Sequence, residues 1–230
     1  MLLLSIDTAT EYAGVCLSRD KDILVIKENA EPKNHASFVQ PAIATMFAET
    51  GLKLQDIDGV VVSNGPGSYT GLRVGLASAK GICYALDKPL ILVNTLTAIA
   101  LASIEAEQNR NALYCPMIDA RRMEVFTAIY TLSMEEKMAP CPMIIEATSF
   151  EQYLNTQTVI FSGNGAAKCE RTIIHPNAKF SSVHHSIKQV AALGQEAFLQ
   201  KDFANAAYSE PFYFKEFYTT MKKVQQNNIP

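Results

Sequence analysis

A short apolar strand, Gly59 to Ser63, runs through Asn64-Gly65-Pro66-Gly67-Ser68 into a segment, Tyr69 to Leu86, whose only charges are Arg73 and Lys80. Gly65 and Gly67 permit backbone angles that other residues resist, and Ser68 can cap the first exposed amides of a helix. Strand, glycine turn and helix N-terminus together form a natural cradle for an anion. The helix behind the turn is the stronger constraint. A helix with almost no face suited to water must be covered on both sides. One side belongs to this domain, and the other calls for a second cover.

Gly71, Gly75, Ala79 and Cys83 recur every fourth residue and predict one ridge of small side chains along that helix. Two glycines inside a helix cost roughly 1 kcal/mol each relative to alanine. The cost is easiest to understand if another backbone packs against the ridge, so it is expected to meet a partner, with Leu72, Leu76 and Tyr84 opposite it and Val74 and Ala77 to the sides, still apolar. The turn itself is neither a nucleotide P-loop nor a dinucleotide fingerprint. It lacks the Gly-Lys-Ser/Thr ending, and its glycines fall as G-x-G-x-x-x-G. A plain tight turn with a capped helix remains the alternative.

Along the chain, strands are expected at Leu2 to Asp7, Tyr12 to Ser18 and Ile23 to Glu28, then a helix from about Ala36 to Thr50, with Gly51 suited to its end. After the glycine turn and its helix come a strand at Leu90 to Val93 and a helix from Thr95 to about Ala106. The polar stretch Glu105 to Asn111 marks a boundary between units 1–106 and 107–230. The second unit restates the first less cleanly. It has strands at Leu113 to Ile118 and Met123 to Tyr130, a loop at Met134 to Pro142, and a short strand near Met143 to Ile145. A helix at Phe150 to Leu154, a strand at Thr158 to Phe161, a turn at Ser162-Gly163-Asn164-Gly165, another helix, and a last long helix at Ile187 to Gln200 complete it. Lys222 to Pro230 reads as a polar, frayed tail.

With 230 residues, 48% of them hydrophobic, the chain can bury a sizeable core, and its net charge of −3 provides no overall basic field for nucleic acid. No run reaches the length of a membrane span, and the N-terminus reads as a first strand with no basic leader. Five scattered cysteines without a C-x-x-C pair indicate reduced, mostly buried thiols in a cytoplasmic protein.

Asp7, followed by Thr8-Ala9-Thr10, ends the first strand where a phosphotransferase could hold a hydrated magnesium ion near ATP. Asp7, Thr8, Gly67 and Ser68 are therefore a candidate vestigial phosphate site, against the simpler reading of an aspartate capping its own turn. Asp119 is the matching acid in the second half, but Ala120-Arg121-Arg122 follows it where a phosphate loop would want glycine. His35, His175, His184 and His185 form no helical metal-binding pair, so no metal site is expected.

Three blocks carry a family resemblance: Ile6-Asp7-Thr8-Ala9-Thr10; Gly65-Pro66-Gly67-Ser68-Tyr69-Thr70-Gly71-Leu72-Arg73; and Ile118-Asp119-Ala120-Arg121-Arg122-Met123-Glu124-Val125-Phe126. Asn34-His35 and Gly163-Asn164-Gly165 are weaker matches. The blocks fall in order over about residues 1 to 165, and the chain resembles the TsaB (YeaZ) family. Tyr69 stands where the family more often has phenylalanine, and the last third is less diagnostic.

The resemblance implies an α/β, two-lobed actin-like fold (ASKHA, ribonuclease H-like) built of tandem β-β-β-α-β-α units. It implies a non-catalytic partner of TsaD in forming N6-threonylcarbamoyladenosine at position 37 of tRNAs reading ANN codons. TsaE, a small ATPase, joins that pair, TsaC supplies the threonylcarbamoyl-adenylate, and tRNA is met only through the complex. TsaD carries a metal-binding histidine pair; here only His35 stands in the corresponding helix. No cofactor is implied. The interface with TsaD, or with a second copy when the chain is alone, maps to the helices Ala36 to Thr50 and Ser68 to Leu86. Its expected contacts are Phe38, Ala42, Leu72, Gly75, Leu76, Ala79 and Cys83. The rival reading is an ATP-dependent phosphotransferase or ATPase using Asp7 and the glycine turn, and a metallopeptidase is a weaker one.

Overall fold

The computed structural model describes residues 1–29, 31 and 34–214. The tail expected over Lys222 to Pro230 lies outside the described residues.

The first half is a meander of β1 (Leu2–Asp7), β2 (Ala13–Arg19) and β3 (Asp22–Asn29), then α1 (His35–Thr50), β4 (Gly59–Gly65), α2 (Tyr69–Leu86), β5 (Leu90–Asn94) and α3 (Thr95–Glu107). The strands form one sheet in the order β3-β2-β1-β4-β5, with β1 antiparallel to β2 and parallel to β4. The central position of β1 explains its continuous apolar run, for both faces are covered. Leu2, Leu4 and Ile6 pack with Val39, Met46, Leu76 and Ala79 of α1 and α2, while Leu3 turns to the opposite face. Gly51, at φ 69°, ends α1 in the left-handed conformation that glycine adopts most easily.

The second half repeats the plan with β6 (Ala112–Asp119), β7 (Glu124–Tyr130), β8 (Glu136–Ile144), α4 (Glu151–Leu154), β9 (Thr158–Ser162), β10 (Ala178–Phe180) and α5 (Ile187–Leu199). Its sheet, β10-β9-β6-β7-β8, again has the first strand of the meander in the middle. Two expectations need correction. The loop expected over Met134 to Pro142 is mostly strand: β8 is an edge strand, where Pro140 and Pro142 leave no ladder bond unmade on the inner side. The helix expected after Gly165 is one short turn, Ala167–Cys169, and β10 follows it unforeseen.

The helices do not respect the division at 106/107. α3 presents Leu96, Ile99 and Ala100 to Ile118, Ala128 and Tyr130 of the second sheet. α5 crosses back and packs Ile187, Val190 and Ala191 on Leu3, Val61 and Ile91 of the first. The unit expected at 107–230 thus gives up α5 to the first lobe, where it covers the sheet's second face beside Ala98 of α3.

Candidate functional site

The glycine turn is built by close approach to the turn that follows β1. A Cβ on Gly67 would collide with the carbonyl of Ala9, and one on Gly71 with the carbonyl of Thr8. The Ser68 amide donates to Ala9 O at 2.7 Å, and Thr8 Oγ1 donates to Gly71 O at 2.7 Å. Ser68 caps α2 by accepting from the Gly71 amide at 3.3 Å. The carbonyls of Thr8 and Ala9 thus lie directly against the glycines of the turn.

Asp7 is equally occupied. Ser63 Oγ and the Ala9 amide (3.0 Å) donate to its Oδ1, and His185 Nε2 donates to Oδ2 at 2.8 Å. Burial by itself pushes this carboxyl up. The charge of His185 and the bonds from His185, Ser63 and Ala9 outweigh burial and hold it below the usual aspartate range. With both oxygens engaged and only 3% of the residue exposed, Asp7 is a structural anchor for the approach to α5. Sequence reasoning missed His185 in this role, since nothing local links it to a residue so distant in the chain.

Where the β1–β2 and β9 turns face each other, a cavity of about 10 Å³ is lined by Thr10, Glu11, Gly163, Asn164, His184 and His185. That is room for about one water molecule. Asn164 Nδ2 donates to Glu11 Oε2 at 2.7 Å, and the Asp119 amide donates to Asn164 Oδ1 at 3.0 Å, so the junction is bridged. Asp119 accepts from Lys168 and from the Arg121 amide. Arg121 and Arg122 hold left-handed φ of 72° and 48° in a turn that would suit glycine better. His35 is buried and its Nε2 donates to Thr10 O at 2.8 Å. Among the described residues no three His, Cys, Asp or Glu side chains gather as metal ligands.

The expected contact residues on α2 lie on the wrong side of the helix. Leu72 and Ala79 are fully buried, Leu76 and Cys83 nearly so, and Gly75 sits against Thr8 and Val62. The small-residue ridge meets its own lobe: the Thr8 carbonyl, in the turn after β1, is the close backbone at Gly71, and the side chains of Thr8, Val62 and Ile6 crowd Gly75. Ala42 is buried in the same core, and Phe38 packs against that core on the β3 side of α1, lining a groove there.

The water-facing side of α2 carries a second series at helical spacing: Thr70, Arg73, Ala77, Gly81, Tyr84 and Ala85. A Cβ on Gly81 would meet nothing within 4 Å, and Tyr84 is 91% exposed. Alongside runs α1, joined by a bond from Gln40 Nε2 to Ser78 Oγ at 3.0 Å, with Ala44 and Ala48 outward. The two helices thus offer a shared face of mostly small side chains, with the cation Arg73 towards the start of α2 and one large aromatic, Tyr84, crossing it. Small residues let a second pair of helices approach closely, and an exposed tyrosine is the common anchor of such contacts.

Comparison with known proteins gives concordant results. A family model described as TsaD, tRNA N6-adenosine threonylcarbamoyltransferase, matches residues 26–220. The TsaB protein of Bacillus subtilis is 33% identical over 130 residues, 56% of this chain and 55% of that protein. The TsaB protein of Haemophilus influenzae is 37% identical over 126 residues, 55% of this chain and 52% of that one. These matches span about half the length of the curated relatives. A solved Pseudomonas aeruginosa protein, described as similar to peptidase YEAZ, superposes with a TM-score of 0.79 at 24% identity, over 93% of this chain and 99% of its own. That likeness shows the fold: two-lobed and actin-like. No helix among the described residues is long and apolar enough to cross a membrane.

Proposed function

Because the chain belongs to the TsaD family of tRNA N6-adenosine threonylcarbamoyltransferases, and within it to the TsaB/YeaZ group, we propose that it serves tRNA threonylcarbamoyladenosine formation as a non-catalytic partner of TsaD. The observation that carries this reading is the shared open face of α1 and α2. It carries small side chains at Ala44, Ala48, Ala77, Gly81 and Ala85, has the cation Arg73 at one end, and Tyr84 stands out from it. The chain binds one state of TsaD better than another through that face and shifts its population towards the active arrangement. A stable pairing of this kind buries about 1,600 Å² in total. Alone, the same face can pair two copies of the chain.

The phosphotransferase reading finds less support. It needs Asp7 turned towards a phosphate-bound metal, and Asp7 is spent on Ser63, Ala9 and His185.

The test is co-expression with TsaD followed by native mass spectrometry. Gly81→Arg places a long cation on the open face with no neighbour to disturb, and Tyr84→Ala removes the aromatic anchor. Both are expected to abolish or strongly weaken the heterodimer while leaving the fold's melting temperature nearly unchanged. An undiminished complex in both variants would overturn the reading.

A further inference from the structure

Beyond α5 the chain does not leave the molecule but runs back along the flank of α2 that lies away from α1. Ala204 bridges to Leu90 at the edge of the first sheet. Lys80 Nζ donates to the carbonyls of Ala207 at 3.2 Å and Ser209 at 3.0 Å. The Phe212 amide donates to Asn64 O at 2.8 Å, placing the Phe212 carbonyl against Gly65. Arg73 Nε donates to Tyr213 OH at 3.3 Å, and the Tyr213 ring lies 5.3 Å from that of Tyr69. The segment then reaches the other lobe, where Phe214 stacks on Phe126 of β7 at 5.3 Å and meets Phe212 edge-on at 4.7 Å.

Both cations of α2 are thus committed to this one segment, as are rings from both lobes. The character of these contacts matters. Several anchors are exposed, Phe212 is 42% and Tyr208 84% exposed, and no helix or long ladder stabilises the segment from within. Segments with few buried apolar contacts and solvent-exposed hydrogen bonds open at low free energy. The connection between the sheets is therefore made twice: by the buried packing of α3 against the second sheet, and by a surface tie that can open.

We propose that residues 203–214 form a releasable strap that ties the two lobes together across α2, and that its release lets the lobes change their angle. Lys80 is the clasp on the first lobe and Phe126 the clasp on the second. Opening the strap frees Arg73 and uncovers Lys80 and the rim of the glycine turn while leaving the cores of both lobes intact.

Hydrogen exchange followed by mass spectrometry on the full chain tests the strap, with spin labels at Glu49→Cys and Glu170→Cys, on a Cys141→Ser background, reading the distance between the lobes. Lys80→Ala is expected to speed exchange at the Ala204 and Phe212 amides by about tenfold, as the loss of a charged hydrogen-bonding anchor implies, with α5 unchanged. Phe214→Ala, which removes the strap's own ring and leaves Phe126 packed against α3, is expected to broaden the distance distribution and to speed exchange near Phe212. Strap amides that exchange at the parent rate in both variants would overturn the proposal. So would a freed strap with an unaltered distance distribution.

Discussion

The carboxylate of Asp7 and the imidazole of His185, 178 positions apart, meet at 2.8 Å in the interior of the first lobe. The pair fastens the entry to α5 against the end of β1, and Ser186, the next residue, caps that helix. A contact of this kind holds the return of the chain to the lobe where it began.

The pair makes stability depend on acid. The Asp7 carboxyl is held below its ordinary value, so its contribution is complete above the unfolded aspartate pKa of about 3.9 and is lost as pH falls through the lower, folded value. Urea unfolding of the parent chain is expected to lose stability as pH falls below about 4, and Asp7→Asn to flatten that loss. Removing one partner of a buried pair costs about 3 kcal/mol or more, so His185→Ala is expected to be strongly destabilised near neutral pH. A His185→Ala midpoint equal to the parent's would show that the pair does not anchor α5.

The two glycine series of α2 should respond in opposite ways to one added methyl. At Gly71 a Cβ strikes the Thr8 carbonyl, which is backbone and cannot swing aside. Overpacking there is expected to cost about 1–3 kcal/mol. At Gly81 the same methyl meets nothing within 4 Å, and helix propensity should stabilise Gly81→Ala by up to about 1 kcal/mol. Thermal melts of the two single variants settle the matter, and equal shifts in the same direction would contradict the packing described.

Thiol chemistry reports on the same cores. Burial pushes the Cys16 thiol up to about 12 and the Cys83 thiol up to about 11. It raises Cys115 and Cys169 as well. At pH 8 the native chain is expected to react slowly and mainly at half-buried Cys141, whereas all five cysteines react once it is unfolded. Peptide mapping after brief alkylation identifies the sites. Rapid labelling of Cys115 would mean the second lobe opens far more readily than its packing suggests.

Much of the fold was legible because it is written in local pattern. The uninterrupted apolar run of β1, the polar turn at Arg19 to Asp22, the Ser68 cap and the Gly51 terminus each follow from a few neighbouring residues. The failures have equally local causes. Pro140 and Pro142 argue against an interior strand, but the sequence does not say that β8 lies at an edge. β10 is three residues long, too short for any periodicity to declare itself.

By itself, then, the sequence determined that α2 is a charge-poor helix with two sets of small residues, that a strand and a glycine turn precede it, and that two similar units follow one another. The tertiary structure decided which set faces inward. Gly71, Gly75, Ala79 and Cys83 and the outer Arg73, Ala77, Gly81 and Ala85 are both spaced by one helical turn, so spacing alone cannot rank them, and Arg73 is the one local sign that the second row faces out. The position of β1 and β4, with the carbonyl of Thr8 pressed on Gly71, shows what covers the first row. The same holds for Asp7, whose role depended on a histidine brought to it by the approach to α5, because a buried charge takes its character from neighbours that chain order does not reveal.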